Sequence, residues 1–508
     1  MVKPNSFTTY TKNINVSNLN SIWAPLAIWG SQTSQFVNIL KYGPDGNLYI
    51  GSSLVAVGTE VFWCIFKYNG NEFIRLGNGV QGSVNSIEFD DDDNLYIGGI
   101  FINNVPKIGQ NSKILNRIAK YNKTLDTWDA ISNGNVVGLY NTVNVLKYST
   151  RTKRLYIGGF NRIQDPNISS GFAYLDLDKL SPTYNNFVNV ENQTTSGNDY
   201  FNGDVYSLEF DKTSSKLYVG GLFSYKNSPN KIYTSVPLGL ITDTSTIDYP
   251  AFYDNNIQFK LGGTSVRNSI PGAIAFSLLS TDSTHLYMGG NFRIVVNGNN
   301  TDIYNLCVFN SLTNTFNPIS TYNVVNSTTT LPYTLNPNNT VRTIAQDSNG
   351  TIYIGGSFIA MSYAIAYTPI SPSSGGQFVN LIGTTYYAEL KNGSWSSDFV
   401  STDQVNSIIF KNVPNPTKKD IIVGGIGNTG NIYTGGIQIY TNDYITPFSV
   451  KSGTPKKRNC THKSVIILDP RNYQLLIICL VNFISVGLLS FIKLKDLLYL
   501  NGLSLNFM

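Results

Sequence analysis

Few residues of the types that carry enzyme chemistry stand out in this chain of 508 residues. Histidine occurs only twice, and His285 is the one that lies in the first 450 residues, which excludes a three-histidine zinc site there. The acidic run Asp90–Asp93 lacks the spaced alternate ligands of a calcium loop, so a solvated hairpin turn is the better interpretation. We therefore expect no metal ion and no bound cofactor.

Thiol and nucleophile chemistry is equally sparse. The four cysteines have no regular spacing, which predicts no disulfide framework and fits a reducing compartment. They are Cys64, Cys307, Cys460 and Cys479. The sequence contains no Gly-x-Ser-x-Gly nucleophile elbow, no phosphate-binding loop and no His-Glu-x-x-His zinc motif. We thus predict no catalytic residues and a protein that is not an enzyme.

Charge is scarce and unevenly placed. Charged residues make up 13% of the chain, and the formal net charge is +5. Residues 451–508 hold eight basic and two acidic residues, an excess of +6, so residues 1–450 carry a net charge of −1. A nucleic-acid groove needs a basic stripe, and none is visible in the neutral body. We expect no nucleic-acid partner.

A short phrase of the form Leu-Tyr-Ile-Gly-Gly recurs seven times and dominates the sequence. Its first glycines are separated by 47, 60, 62, 69, 66 and 69 residues, and the first copy has Ser52 in place of the second glycine. Self-similarity at such a period indicates a repeat architecture. The glycines of the phrase are Gly51, Gly98, Gly99, Gly158, Gly159, Gly220, Gly221, Gly289, Gly290, Gly355, Gly356, Gly424 and Gly425.

Each copy of the phrase sits in a larger frame of four β-rich runs. A run such as Val84–Phe89 precedes it, and turn residues such as Asp90–Asn94 stand between the two. A third apolar run and a fourth that opens with an aromatic residue, such as Trp128, follow after a loop of variable length. Asp, Asn and Gly favour tight hairpins, so each repeat predicts one four-stranded antiparallel sheet.

Seven such sheets packed radially make a seven-bladed β-propeller, and the all-β class follows from the same frame. Strands crowd near a central channel, where glycine lets two backbones approach closely. The alternative is an open pair of β-sandwiches, but seven like units favour a closed ring. We place the propeller at residues 1–450.

The repeat frame resembles those of kelch-like propellers. Because Phe101, Phe223, Phe292 and Phe358 follow four of the glycine pairs, the frame is also similar to the Gly-Gly-x-Phe repeats of the fungal cortical cell-polarity marker family. Propeller proteins of giant DNA viruses and AT-rich protists have a similar composition. The motif ends in Phe101, Phe223, Phe292 and Phe358 in four copies. The third copy is one residue short, and the last, at Gly424-Gly425, lacks the aromatic residue. The resemblance implies the propeller fold but says little about function.

The ring could close in either of two ways. The arm around Trp23 resembles the fourth strand of a repeat, but the three strands that would precede it are missing. The last repeat offers only a short run around Phe448 as its own fourth strand. We favour the arm as the strand that completes the final sheet. In the alternative, Phe448 closes its own sheet and the arm packs outside.

The C-terminal residues have a different composition from the body. We interpret 451–471 as a basic linker, 472–492 as a candidate transmembrane helix and 493–508 as a short apolar tail. The segment 472–492 contains 21 residues without a charge, about the length that crosses a bilayer. Basic residues are concentrated on its N-terminal side, which places the propeller in the cytoplasm. A helix docked on the propeller and a frame change are the alternatives.

These features predict a non-catalytic interaction or structural scaffold that is membrane-anchored through its C-terminus. The loops after the glycine pairs, such as 103–116 and 225–233, are the expected surface for a protein partner. One alternative is a hydrolase or lactonase-like enzyme that uses channel carboxylates and a calcium ion. Another is a surface component of a virus particle that binds a glycan or receptor.

Overall fold

The computed structural model describes the chain in segments that cover most of the repeat region. They are residues 22–25, 36–53, 56–57, 60–70, 72–102, 115–133, 136–139, 141–159, 171–189, 202–212, 216–228, 231–242, 250–251, 274–294, 302–313, 315–325, 330–367, 376–384, 386–397, 402–410, 421–427, 437–441, 462–469 and 474–481. Contacts divide the chain into two units. One comprises Asn20–Ser452, and the other comprises Met1–Leu19 with Gly453–Met508.

In the larger unit, residues with left-handed backbone conformations form the tight turns that join consecutive strands. Gly46 and Gly350 have φ angles of 73° and 80°, and Asp93 has a φ angle of 58°, so each occupies the left-handed region that a tight hairpin needs. Every regular element in the described part of the chain is a β-strand, and the ladders between them are antiparallel. The all-β class predicted from the sequence is confirmed.

Within the described residues, seven four-stranded sheets follow one another along the chain, and we number them 1 to 7. Sheet 1 contains Val37–Tyr42, Leu48–Ser52, Ile65–Tyr68 and Phe73–Arg75. Sheet 2 contains Val84–Phe89, Leu95–Gly99, Ile118–Asn122 and Thr127–Ala130. Sheet 3 contains Val143–Ser149, Arg154–Gly159, Phe172–Asp176 and Phe187–Asn189. Sheet 4 contains Asn202–Phe210, Lys216–Ser228, Lys231–Thr242 and Pro250–Ala251. Sheet 5 contains Ile274–Ser280, His285–Ile294, Ile303–Asn310 and Thr315–Asn317. Sheet 6 contains Val341–Gln346, Ile352–Gly356, Tyr387–Lys391 and Ser394–Ser396. Sheet 7 contains Thr402–Phe410, Ile421–Gly427, Ile437–Thr441 and Ile22–Pro25.

The first strands of the seven sheets contact one another in cyclic order. Each touches the first strand of the next sheet, and the first strand of sheet 7 touches that of sheet 1. Radial sheets whose first strands surround a common axis make a β-propeller. The second strands are buried on both faces, which explains why the repeated phrase is continuously apolar instead of alternating.

The core consists of apolar clusters that lie between neighbouring sheets. One cluster joins Val37 and Leu40 of sheet 1 to Ile422 and Ile437 of sheet 7, and so spans the two ends of the repeat region. The strand Ile22–Pro25 pairs with Ile437–Thr441, with Trp23 opposite Tyr440. The arm around Trp23 therefore supplies the fourth strand of sheet 7, while the region of Phe448 lies outside the described residues.

Smaller elements interrupt the repeats. Short hairpins in the described part of the repeat region pair Ala56–Val57 with Glu60–Val61, Ser132–Asn133 with Val136–Val137, and Thr321–Val325 with Thr330–Thr334. A three-stranded sheet combines Asn336–Pro337, which precedes the first strand of sheet 6, with Ala360–Tyr367 and Gly376–Gly383, which lie between its second and third strands. The predicted loop 225–233 is instead the tip of the long hairpin of sheet 4, in which Tyr225 pairs with Tyr233.

The predicted helix over 472–492 is not confirmed. In the smaller unit, Gln474–Val481 is a strand paired with His462–Asp469, which lies in the segment that we expected to be a linker. Both strands contain adjacent β-branched residues, and the residues between them include Pro470, which suits a turn. Residues 482–492 lie outside the described residues. Within the described segments, no helix is long and apolar enough to cross a bilayer.

Candidate interaction site

The glycine pairs lie beside the starts of the first strands, at the end of the ring that we call the glycine end. A Cβ on the first glycine of a pair would collide with the next sheet. On Gly98 it would lie 2.3 Å from Val143 Cγ1, and on Gly424 it would lie 2.6 Å from Val37 Cγ1. These glycines therefore let each sheet pack closely on the next, and Gly424 does so between the last sheet and the first.

The second glycine of each pair lies against its own sheet. A Cβ on Gly356 would lie 2.1 Å from the carbonyl oxygen of Thr340, the residue just before the first strand of its sheet. The register between first and second strands shifts at this point, as between Val341 and Thr343 in sheet 6. This β-bulge brings the two backbones together. The repeat glycines thus have a packing role.

Polar side chains one position into the first strands link neighbouring sheets. Asn38 Nδ2 donates a hydrogen bond of 3.0 Å to the carbonyl oxygen of Val84 in the next sheet. Asn85, Asn144 and Asn406 make the corresponding bonds to Val143, Val205 and Val37, at 3.2, 3.1 and 2.9 Å. We call these four residues the asparagine ladder. It runs from sheet 7 through sheets 1 and 2 to sheet 3 and is satisfied within the ring.

The same position in sheets 4, 5 and 6 carries Tyr206, Phe276 and Arg342 instead. The rings of Tyr206 and Phe276 meet edge to face with centroids 5.1 Å apart, and Arg342 Cζ lies 5.2 Å from the centroid of Phe276. All three side chains are half-buried. We call them the aromatic–arginine cluster. The ring is therefore asymmetric at the glycine end, with self-satisfied amides in one arc and aromatic rings with a guanidinium in the other.

Electrostatics distinguish the cluster from the ladder. Burial lowers the pKa of Arg342, although its interaction with the Tyr206 phenol opposes that shift. Nε of Arg342 is buried and has no hydrogen-bond partner among the residues that the structure describes. Burial and the carboxylate of Asp204, which accepts a hydrogen bond from Tyr206 Oη at 3.3 Å, raise the pKa of Tyr206 to about 12.

The opposite end of the first strands, which we call the turn end, has a charged layer that is internally paired. Lys41 Nζ donates to Glu88 Oε1, and Lys147 Nζ lies 2.7 Å from Glu209 Oε2. Burial lowers the pKa of Lys147, but Glu209 and Glu88 outweigh it and hold the pKa above its usual value. Sheets 5 to 7 have Leu279, Ala345 and Ile409 at this position. The charged residues there are paired, so they stabilise the ring instead of forming an open site.

In three copies of the repeated phrase, the tyrosine is hydrogen-bonded to the turn that precedes it. Tyr49, Tyr96 and Tyr353 donate hydrogen bonds of 2.9, 3.0 and 3.0 Å to Asp45, Asp90 and Asp347. The three phenols are buried. Burial, followed by the charge and hydrogen bond of the aspartate, raises the pKa of each tyrosine. The aspartate therefore caps the turn and satisfies a phenol that the core would otherwise leave unpaired.

The acidic run Asp90–Asp93 is likewise committed to local contacts. Asp91 pairs with Lys153, and Asp92 Oδ2 lies 3.0 Å from Lys179 Nζ. Asp90 accepts bonds from Asn94 and Tyr96. Among the described residues no group of His, Cys, Asp and Glu side chains has the arrangement of a metal site.

The remaining candidates for chemistry sit in structural positions. His285 begins the second strand of sheet 5, and its Nδ1 lies 2.9 Å from Asp282 Oδ2. Cys64 and Cys307 are buried free thiols. Burial raises the pKa of Cys64 to about 11 and that of Cys307 above its usual value, which keeps both thiols protonated and unreactive.

Sequence reasoning alone did not find the ladder or the cluster. The signal was available, because the residue after the first-strand valine is asparagine in four repeats and tyrosine, phenylalanine or arginine in the other three. Sheet 5 hides the alignment because Ala275 replaces that valine.

Known proteins with similarity to this chain include one family model and several solved structures. The family model described as a two-component regulator propeller matches residues 336–358, a stretch that includes the first two strands of sheet 6. No curated protein shows similarity to this sequence.

Solved propeller structures are similar at low identity. The chain matches the WD40 β-propeller domain of Doa1 with 13% identity over 83% of this chain and 97% of that one, at a TM-score of 0.33. It matches YCF48 bound to D1 peptide with 10% identity over 87% and 99%, at a TM-score of 0.36. PorZ, a surface component of the type-IX secretion system of Porphyromonas gingivalis, matches with 12% identity over 88% and 51%, at a TM-score of 0.35. The identities and TM-scores are too low to transfer a function.

Proposed function

We propose that this chain is a non-catalytic protein-interaction scaffold, a seven-bladed β-propeller that binds a protein partner at the glycine end of its ring. One observation carries the proposal. The aromatic–arginine cluster replaces three members of an otherwise repeated asparagine position, and its side chains remain half-buried without completing the ladder.

The residue types of the cluster are those of binding surfaces. Tyrosine and arginine are over-represented among residues that dominate binding energy, and aromatic rings supply large contact area at low entropic cost. Asparagine at the same position in four other repeats makes bonds within the ring. The repeat geometry therefore does not require Tyr206, Phe276 and Arg342 at this position. Their presence favours a role in binding a partner.

The count of seven blades is supported by the sheets themselves. Each of the seven four-stranded sheets carries one copy of the repeated phrase in its second strand, and the first strands of the sheets contact one another in cyclic order. Ser407 Oγ of sheet 7 accepts a hydrogen bond of 3.1 Å from the backbone nitrogen of Leu40 in sheet 1. The corresponding bond joins Ser86 to Leu146 at 2.9 Å, so the last interface is built like an internal one.

A hydrolase that uses channel carboxylates is less well supported. Glu88 and Glu209, the acidic residues of the first strands at the turn end, are each paired with a lysine. General acid–base work needs a carboxyl that can contact the substrate, whereas both of these carboxylates contact a lysine of a neighbouring sheet.

A ladder-restoring variant tests the proposal. Replacing Tyr206, Phe276 and Arg342 together by asparagine gives the three sheets the residue that four others already carry. We expect normal folding by circular dichroism and a loss of partner binding of about a hundredfold or more, as for removal of a binding hot spot. Partners would be found by proximity labelling with the wild-type chain, and affinities measured with the purified partner.

The matched control removes three exposed apolar side chains at the turn end. Leu125, Leu180 and Leu312 are 61%, 93% and 78% exposed, and their joint replacement by asparagine should leave the affinity unchanged. Loss of binding in this control together with retention in the ladder variant would reject the glycine end as the interaction surface.

Membrane attachment through 472–492, with the propeller in the cytoplasm, is a second part of the proposal. It is supported by the uncharged run of 21 residues and the basic residues that precede it. Carbonate extraction of membranes should retain the full chain in the pellet and release a chain that ends at Ser449. Release of both chains would contradict attachment.

A further inference from the structure

Arg342 carries a positive charge for which the described part of the ring provides no counter-ion. The basic residues at the turn end pair with carboxylates, as Lys41 does with Glu88 and Lys147 with Glu209. No ion pair involves Arg342 among the described residues, and its buried Nε lacks a hydrogen-bond partner there. A half-buried guanidinium in this state gains from an added anion because burial weakens the competition from water.

The neighbours of Arg342 form an apolar wall beside that charge. Phe276 packs under the guanidinium at 5.2 Å, and the rings of Phe276 and Tyr206 meet edge to face with centroids 5.1 Å apart. The nearby carboxylate of Asp204 already accepts the hydrogen bond of Tyr206. Such a wall suits the hydrocarbon part of a peptide, while the guanidinium suits its charged end.

We propose that Arg342 and Phe276 form a subsite for a carboxylate group of the protein partner. This inference rests on the proposed function and names the chemistry that the glycine end recognises. A planar guanidinium can bind both oxygens of one carboxylate at once. A single cation balances one carboxylate, whereas a nucleic-acid backbone would require a basic stripe, which the neutral body lacks.

The carboxylate can come from an Asp or Glu side chain or from the C-terminus of the partner. A display library of random twelve-residue peptides, selected on the full chain, supplies the probes. Each selected peptide is then synthesised in three forms: unchanged, with its acidic side chains converted to amides, and with an amidated C-terminus. The form that loses affinity identifies the source of the carboxylate.

Variants of the protein locate the contact. We expect loss of the carboxylate to weaken binding to the wild-type chain by about tenfold to a hundredfold, the range for a hydrogen-bonded charged pair. The same peptide change should have little further effect on binding to the Arg342→Asn variant. The interaction that the change would remove is already absent from that variant. Arg342→Lys, which keeps the charge and lacks the planar fork, should give an intermediate affinity and serves if Arg342→Asn fails to fold.

Arg75 provides a matched control. Its Cζ lies 5.7 Å from the ring of Phe62, so it has a similar contact with an aromatic ring, but it lies on the fourth strand of sheet 1. Arg75→Gln should bind every peptide form as the wild-type chain does. If Arg342→Asn retains the full sensitivity to the carboxylate, the subsite is wrong while the interaction role stands. If no peptide binds the wild-type chain, the proposed function fails and the subsite with it.

Discussion

At the scale of single residues, the repeated phrase is explained by what each side chain contacts. Leu and Ile fill the clusters between sheets, and the two glycines allow neighbouring backbones and side chains to approach closely. In three copies the tyrosine donates a hydrogen bond to the aspartate of its own turn. The role of the glycine pair was predictable, because close approach of strands is a general reason for glycine in a sheet. The Tyr–Asp bond was not, because nothing in the spacing shows that the phenol reaches back to the turn.

The second glycine of a pair should tolerate no side chain. Gly356→Ala would place a methyl group 2.1 Å from the carbonyl oxygen of Thr340, so the backbone must shift. We expect a loss of about 1–3 kcal/mol in the free energy of unfolding, the range for overpacking in a well-packed core. Gly383→Ala, where a Cβ has no atom within 4 Å, is the control and should change stability by less than about 0.5 kcal/mol. Equal effects of the two substitutions would contradict the packing role.

The buried tyrosines should make the fold sensitive to alkaline pH. Because the folded-state pKa values of Tyr96 and Tyr353 lie above the usual value, their contribution to stability is complete below about pH 10 and is lost as the pH rises further. Unfolding above about pH 10 should therefore coincide with the appearance of tyrosinate absorbance. Tyr96→Phe with Tyr353→Phe should make the decline in stability shallower. Ionisation of these phenols in a chain that stays folded would contradict their burial.

At the scale of elements, the sequence predicted strand order well because turn residues and apolar runs alternate in each repeat. It failed where composition alone had to decide between strand and helix, as in Gln474–Val481, and where a loop of unknown length could extend a hairpin, as in sheet 4. The aromatic–arginine cluster required knowledge of which strand positions face one another across sheets. Periodicity along one strand does not contain that information.

The fourth strand of sheet 7 comes from the other end of the repeat region, so its removal should weaken that sheet in particular. Deleting residues 1–25 removes Ile22–Pro25 and exposes the edge of Ile437–Thr441. We expect a loss of about 2–4 kcal/mol from four residues of antiparallel pairing, together with aggregation through the open edge.

Deletion of residues 1–19 alone is the control for this strand. It leaves Ile22–Pro25 in place, and a peptide with the sequence of residues 18–30 added to the longer deletion should restore part of the lost stability. Thermal unfolding measures all three cases. Equal stability of the two deletions would show that the strand does not hold sheet 7.

At the scale of the whole molecule, the two ends of the ring differ in how completely they satisfy their own polar groups. The turn end pairs its lysines with glutamates and acidic turn residues with lysines. The glycine end completes the asparagine ladder through sheets 7, 1, 2 and 3 and leaves the aromatic–arginine cluster in sheets 4 to 6. A partner that binds the ring should therefore be oriented toward one end and one arc.

Photo-cross-linking from a single position tests this claim most directly. A photoreactive phenylalanine analogue at Phe276 reports on the aromatic–arginine cluster, and the same analogue at Leu180, which is 93% exposed at the turn end, reports on the opposite end. In cells, we expect a specific adduct with one partner from position 276 and none with that partner from position 180. An adduct from position 180 together with none from position 276 would contradict the glycine end as the binding surface.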